Sequence, residues 1–425
     1  MLDHKEILDL RSKHLGPSLS VSYDEPLHIV RGEGQYLFDA KGKRYLDCVN
    51  NIQHVGHCHP KVVEAAQQQY KKLNTNTRYL DETIVNYAKD ITSTLPDGLE
   101  VCFFANSGSE ANDLALRLVR QFTGDKATIV LDGAYHGNLF SLIEISPYKH
   151  NGPGGNGSPD FVYTLPMPDS FRGKYRGESC GEKYVQEVQA AINEIQQKGK
   201  KVSTFIAEAL MGCGGQLILP KGFLKKAFDL VREAGGVCIA DEIQIGFGRV
   251  GSHFWGFETH GVVPDIVTMG KSMGNGHPLS AVVTTREIAD SFNNGMEYFN
   301  SFGGNPVSCA VGQAVLDVIK EEGLQENALE VGSYLLNQLK NLQNQHDLIG
   351  EVRGRGLFIG IELVRDELVP AAAEAQTIVN QMKDKGLLLS TDGPDHNIIK
   401  IKPPLVFNKK NADELVEKLD ETMSE

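Results

Sequence analysis

The chain has no apolar run close to the ~20 residues that a membrane-spanning helix needs, so no span is expected among its 425 residues. It is also short of positive charge: 42 Lys and Arg stand against 55 Asp and Glu, a net −13. An anion of that size has no general attraction for nucleic acid or acidic lipid, so partners of those kinds are not expected. Its seven cysteines are odd in number and lack CxxC spacing. Several stand in apolar stretches such as VCFFA and GVCIAD, as buried thiols of a reducing compartment do, which points to the cytoplasm. The N-terminal MLDHKEILDLRSKH carries acid and no long apolar core, so neither a secretory signal nor a transit peptide is expected there. No internal repeat or low-complexity tail stands out.

At 425 residues the chain exceeds the length at which one core stops growing, roughly 250 to 300 residues, so two domains are expected. Short β-rich runs alternate with amphipathic stretches through its middle. VCFFA leads into EANDLALRLVRQF, ATIVL follows, VSTFIAEAL precedes a helix near Lys221, and GGVCIAD, PDIVTM and LSAVVTT continue the series. That alternation predicts βαβ units on a largely parallel sheet, an α/β class, over a large domain at 55–305. Segment 1–54 contains HIVRGEGQYLFDAKGKRYLDCV, which reads as a β-meander with a DAKGK turn. Segment 306–425 holds two long helices, strands in GLFIGIELV and NIIKIKPPL, and a closing helix from Ala412. The two segments are expected to form a small α+β domain together. KHNGPGGNGSPDF and DSFRGKYRGESCGEK read as surface loops near an active-site rim.

Several segments carry groups with chemical potential. NSGSEAN, at 106–112, stands between a strand and a helix, where small residues and free N–H groups suit a phosphate; an ordinary helix cap reads the same way. GFGRVG matches GxGxxG and follows a strand, but SHFWGFETHGVVPD after it lacks the amphipathic helix that should receive a pyrophosphate, so the dinucleotide reading fails its context test. HVGHCHP gathers His54, His57, Cys58 and His59, yet no HExxH or second ligand pair accompanies it, and no metal is expected. Asp241 and Lys271 each end an apolar run, and Gly270, Gly274 and Gly276 let the chain fold tightly around the lysine. Schiff-base chemistry needs an amine that can be neutral, and a carboxylate such as Asp241 beside a pyridine nitrogen would keep that nitrogen protonated.

NSGSEAN, AYHGN, IADEIQIGFGRVG, TMGKSMGNGHP and NSFGGNPVSCA, in that order and spacing, resemble the class III aminotransferase family of fold type I pyridoxal-phosphate enzymes from about residue 15 onward. The resemblance implies pyridoxal 5'-phosphate as cofactor and a mostly parallel seven-stranded sheet in the large domain. It implies that Lys271 forms the Schiff base and shuttles a proton, that Asp241 pairs with the pyridine nitrogen, and that Gln244 reaches the phenolic oxygen. Tyr135 would stack on the ring; Ser107, Gly108, Ser109 and His136 would join the cofactor site, and Glu208 is the family's active-site glutamate. Ser301 would reach the cofactor phosphate of a neighbouring subunit, so a homodimer with shared active sites is implied as well.

The family usually sets an arginine ahead of PPL, a bidentate clamp for the substrate's carboxylate. Here NIIKIKPPL has Lys400 instead. Taken alone, this is either a neutral exchange or the mark of a substrate without that carboxylate. Further segments, NNIQHVGHCHP, LNTNTRYLDETIVNYA, ISPYK, FRGKYR, STDGPDHN and KIKPP, are similar to the ethanolamine-phosphate and 5-phosphohydroxylysine phospho-lyase branch of the family. That similarity implies elimination of phosphate and ammonia from a 2-phosphorylated primary amine, phosphoethanolamine first. Arg78, Lys400 and Lys402 are then the candidates for the substrate phosphate, followed by His54, Lys149 and Arg172, and Asn50 and Asn51 would face the substrate. The alternatives are 5-phosphohydroxylysine as substrate, an aminotransferase of alanine-glyoxylate or ω-amine type, and a dinucleotide-dependent oxidoreductase.

Overall fold

A computed structural model describes residues 2–425. Seven strands form the central sheet, in the order Val101–Ala105, Ser280–Thr284, Ile266–Met269, Val237–Asp241, Val202–Ala207, Ala127–Leu131, Val162–Leu165. Only Ser280–Thr284 runs against the rest. The expected α/β class with a mostly parallel seven-stranded sheet is therefore present. These strands read as continuous apolar runs because both faces are covered. Phe205, Cys238 and Val267 enter one core cluster, while their neighbours Ile206, Ile239 and Ile266 enter the other.

The helix Gly108–Thr123 shows how sequence sets an element. Ser107 caps its start by accepting from the Glu110 amide, and Gly124 ends it at a φ of 71°. Leu114, Leu118 and Val119 turn one face onto the sheet and are fully buried. The helix thus starts at the carboxyl end of Val101–Ala105, the edge where the other parallel strands also deliver their last residues.

The meander forms as expected from strands Ile29–Glu33, Tyr36–Asp39 and Arg44–Asp47, with Asp39 Oδ1 accepting from the amides of Lys41 and Lys43 across the DAKGK turn. Its last strand pairs in parallel with Leu387–Leu388, so the two ends of the chain share one sheet. A separate antiparallel sheet holds Ile349–Arg355, Phe358–Leu363, Ile398–Ile401 and Ser390–Asp392. The helix Leu324–Gln343 approaches it closely at Gly332, where a Cβ would lie 2.1 Å from the Gly356 carbonyl oxygen.

Three sequence readings need correction. VSTFIAEAL is not one strand: the ladder stops at Ala207, because the buried Glu208 carboxylate accepts from the Gly212 amide and draws the chain into a turn. DSFRGKYRGESCGEK is a loop only to Ser179, since the apolar spacing of Cys180, Tyr184 and Val188 starts a helix that runs to Gln197. The last helix begins at Lys409 rather than Ala412, capped by Asn408. Among the described residues no helix is long and apolar enough to cross a membrane.

Candidate active site

The carboxyl ends of the parallel strands open into a cleft lined by Gly108, Ser109, Tyr135, His136, Glu208, Asp241, Gln244 and Lys271 among others. Each follows a strand or starts the helix behind one, which is where ligands sit in open α/β sheets. Close packing at the helix start depends on Gly108, whose Cβ would fall 2.6 Å from Ile243 Cδ1.

Asp241 lies buried on the cleft floor. Its Oδ2 accepts from Asn112 Nδ2 at 2.9 Å and from His136 Nδ1 at 2.8 Å, and its Oδ1 accepts from the Ile243 amide at 3.2 Å. Three donors thus fix both oxygens of this carboxylate in place. Lys271 opens a short 3₁₀ turn and has a φ of 37°, in the left-handed region that costs a non-glycine residue about 1–3 kcal/mol. Glu208 is raised to about 7, first by burial and then by the Asp241 charge. Its Oε1, like His136 Nε2 and Thr268 Oγ1, is buried without a partner among the described residues. Such orphaned atoms beside a cleft mark places where a ligand completes the bonding.

Gln244 joins this floor to a second cluster. Its Oε1 accepts from Lys402 Nζ at 3.0 Å and Asn51 Nδ2 at 3.2 Å, which leaves its Nε2 with only a long contact to Cys213 Sγ at 3.9 Å. Asp392 stands 3.5 Å from Lys400 Nζ and 3.7 Å from Lys402 Nζ. Lys400 is partly exposed and shares a cleft with Asn50 and Ser390. Lys402 is only 2% exposed, and burial lowers its pKa to about 8. Burial, then Asp392, pushes both Tyr148 and Cys213 up to about 12.

Other candidates stand elsewhere. Ser107 is exposed and caps its helix. Arg78 is exposed, paired with Glu297 at 3.0 Å and stacked over Phe299, and the exposed Ser301 lies in the adjoining 297–304 segment; neither lines the cleft of its own chain. Lys149 lies at the surface, 5.7 Å from the Tyr135 ring centroid. Arg172 is committed to Glu362 and Asp395, so its charge is already matched. His54 is wholly buried between the Phe247 carbonyl at 2.7 Å and the Arg249 guanidinium at 3.1 Å, and burial holds it neutral by lowering its pKa. Its neighbours diverge, His57 to Asp47 and His59 to Glu322. Among the described residues no group of three His, Cys, Asp or Glu is placed to hold a metal. After GFGRVG comes only the 3₁₀ turn Gly256–His260. Asn112, Tyr148, Cys213 and Asp392 had no signal of their own; Asn112 ends NSGSEAN, a motif read for phosphate rather than for support of Asp241.

An amine, a multiply supported carboxylate, an unspent amide N–H and a helix start with a close glycine are a donor set that fits pyridoxal phosphate. The comparisons agree. The family model for aminotransferase class-III matches residues 19–423. A Drosophila melanogaster protein named alanine–glyoxylate aminotransferase 2-like is 52% identical, over 98% of this chain and 86% of the fly protein. A Caenorhabditis elegans protein named ethanolamine-phosphate phospho-lyase homolog 1 is 44% identical, over 99% of this chain and 93% of its own. The structure of an Arthrobacter phospholyase in complex with phosphoethanolamine superposes with a TM-score of 0.94 at 41% identity, over 98% of this chain and 99% of that one. With pyridoxal phosphate as its cofactor and fold type I as its scaffold, the chain belongs to the class III aminotransferase family.

Proposed function

We propose that the protein is a phospho-lyase that converts a 2-phosphorylated primary amine, phosphoethanolamine in the first instance, and water into an aldehyde, ammonia and inorganic phosphate. The observation that carries this reading is Lys400. A partly exposed ammonium that stands ahead of PPL, where the family usually sets an arginine fork, and that shares its cleft with Asn50 and Arg11, suits a compact phosphate better than a planar carboxylate. The Arthrobacter complex and the nematode relative support the same chemistry, whereas the fly relative's name supports an aminotransferase.

Pyridoxal phosphate, when bound, supplies an electron sink for the carbon that carries the substrate's nitrogen. Lys271 then takes the proton from that carbon, and Asp241, held by Asn112 and His136, keeps the sink electron-poor. Lys400 stabilises the phosphate as its negative charge grows, so that its contact strengthens along the reaction. The working unit in this proposal is a homodimer in which Ser301 and Arg78 serve the neighbouring copy's cleft. The exposed Tyr79, Leu80, Met296 and Phe302 beside them support a covered face there. A cytoplasmic location is supported by seven cysteines that are all free.

Phosphoethanolamine with no keto acid present is expected to yield acetaldehyde, ammonia and phosphate in equal amounts. Absence of phosphate from both it and 5-phosphohydroxylysine, with amino transfer to glyoxylate or pyruvate instead, would establish the aminotransferase. Within the lyase, Lys400→Met is expected to lower kcat/KM for phosphoethanolamine by about 10- to 100-fold, the loss of one charge-assisted contact of roughly 1.5–3 kcal/mol. Steady-state rates of phosphate release read this, and an unchanged kcat/KM removes Lys400 from the phosphate site.

A further inference from the structure

Lys402 entered as a candidate for the substrate phosphate, yet its geometry turns it the other way. It is buried under the Phe358 ring, 5.2 Å from the centroid, and its short contact is the 3.0 Å bond to Gln244 Oε1. Asn51 occupies the same oxygen. An amide whose oxygen takes two donors has its orientation decided, and its N–H groups must face the other side. Its Nε2 has only the long 3.9 Å contact to Cys213 Sγ, and Gln244 lines the same cleft as Lys271, Asp241 and Glu208.

We infer that Lys402 is a positioning residue that acts through Gln244 on the electronics of the bound cofactor, and that it is not a ligand of the substrate. The inference rests on the family's contact between Gln244 and the cofactor's phenolic oxygen. A cation behind the amide oxygen polarises the amide and makes its N–H a stronger donor. The same cation opposes a second positive charge in the cleft. Both effects favour the unprotonated form of the cofactor held on Lys271. The other charged or titratable groups around Lys402 are Asp392, Lys400, Cys213 and Glu208, whose carboxyl the Lys402 charge holds lower, with Lys271 beyond Gln244. Asp392 offsets part of the field, but at 3.7 Å it is no closer to Lys402 than Gln244 is.

The test is a pH titration of the resting holoenzyme's visible absorbance, with no substrate present. Lys402→Met is expected to move the midpoint upward by about one pH unit, the scale of a unit charge several ångströms away at moderate dielectric. Lys402→Arg keeps the charge and is expected to stay within a few tenths of a unit. Lys402→Gln retains a donor for Gln244 Oε1 without the charge; it separates the two contributions and serves in place of the methionine variant if that one fails to fold. In a Gln244→Leu background the Lys402→Met shift is expected to fall below half. An unmoved midpoint in Lys402→Met would by itself overturn the inference, and a raised KM for phosphoethanolamine beside it would return Lys402 to the substrate. Because no substrate enters the titration, its outcome is independent of whether the enzyme releases phosphate.

Discussion

Lys271→Ala is expected to reduce turnover by at least about 10⁴-fold, the upper range of what one positioned proton-transfer group supplies. Among the described residues lining the cleft there is no second lysine to take its place. Lys402 is held by Gln244 and Asp392, and Lys400 stands beyond them with Asn50. Glu208 is buried against the Gly212 amide, with Asp241 close enough to raise its pKa. The fold should survive, because the lysine is partly exposed and sits in a tight turn that alanine can also occupy, at the same left-handed φ of 37°. Borohydride reduction of the wild-type holoenzyme is expected to fix the cofactor covalently on the peptide containing Lys271, and alanine at 271 to leave that peptide unlabelled. A variant with native circular dichroism that retained a hundredth of wild-type turnover would remove Lys271 from the proton-transfer step.

Much of this site was legible because strand ends are. An apolar run marks a strand, and the polar residue after it falls at the sheet's edge, which is how Asp241 and Lys271 could be placed without coordinates. Gly108, Tyr135 and Gln244 came from motifs with fixed spacing. What escaped depends on contacts across more than a hundred residues. Lys400 and Lys402 look equivalent in KIKPP, yet one is partly open and the other is sealed by Gln244, 158 positions away. Glu208 reads as part of a strand because the amide that turns it, Gly212, lies beyond the apolar pattern. Arg172 looked free because its partners Glu362 and Asp395 lie 190 and 223 residues later. Arg78 and Ser301 stand outside the cleft of their own chain, on the exposed face that the proposed homodimer would cover.

Asp241→Asn is expected to lower kcat/KM by about 10²–10³-fold, the range found when one preorganised electrostatic partner is removed from a buried site. The substitution keeps size and shape, so the loss reports charge and hydrogen bonding rather than packing. In the native chain both oxygens accept, from Asn112 and His136 on one side and from the Ile243 amide on the other. A carboxamide has only one oxygen, so its NH₂ must oppose a donor on one side; that unmet buried donor costs about 1–3 kcal/mol of stability. Removing the charge also relieves Glu208, whose pKa Asp241 helps to raise, so its midpoint is expected to move below its present value of about 7. A low-pH limb of the rate profile that belongs to Glu208 should then move to lower pH in the variant, because less acid is needed before the carboxyl protonates in the native enzyme than in Asp241→Asn. Asp241→Glu, which keeps the charge but lengthens the reach, should leave that limb in place while still reducing the rate. If Asp241→Asn stays within tenfold of wild-type kcat/KM, the carboxylate is only an anchor for Asn112 and His136. The electron-poor state of the cofactor must then be maintained by another group in the cleft.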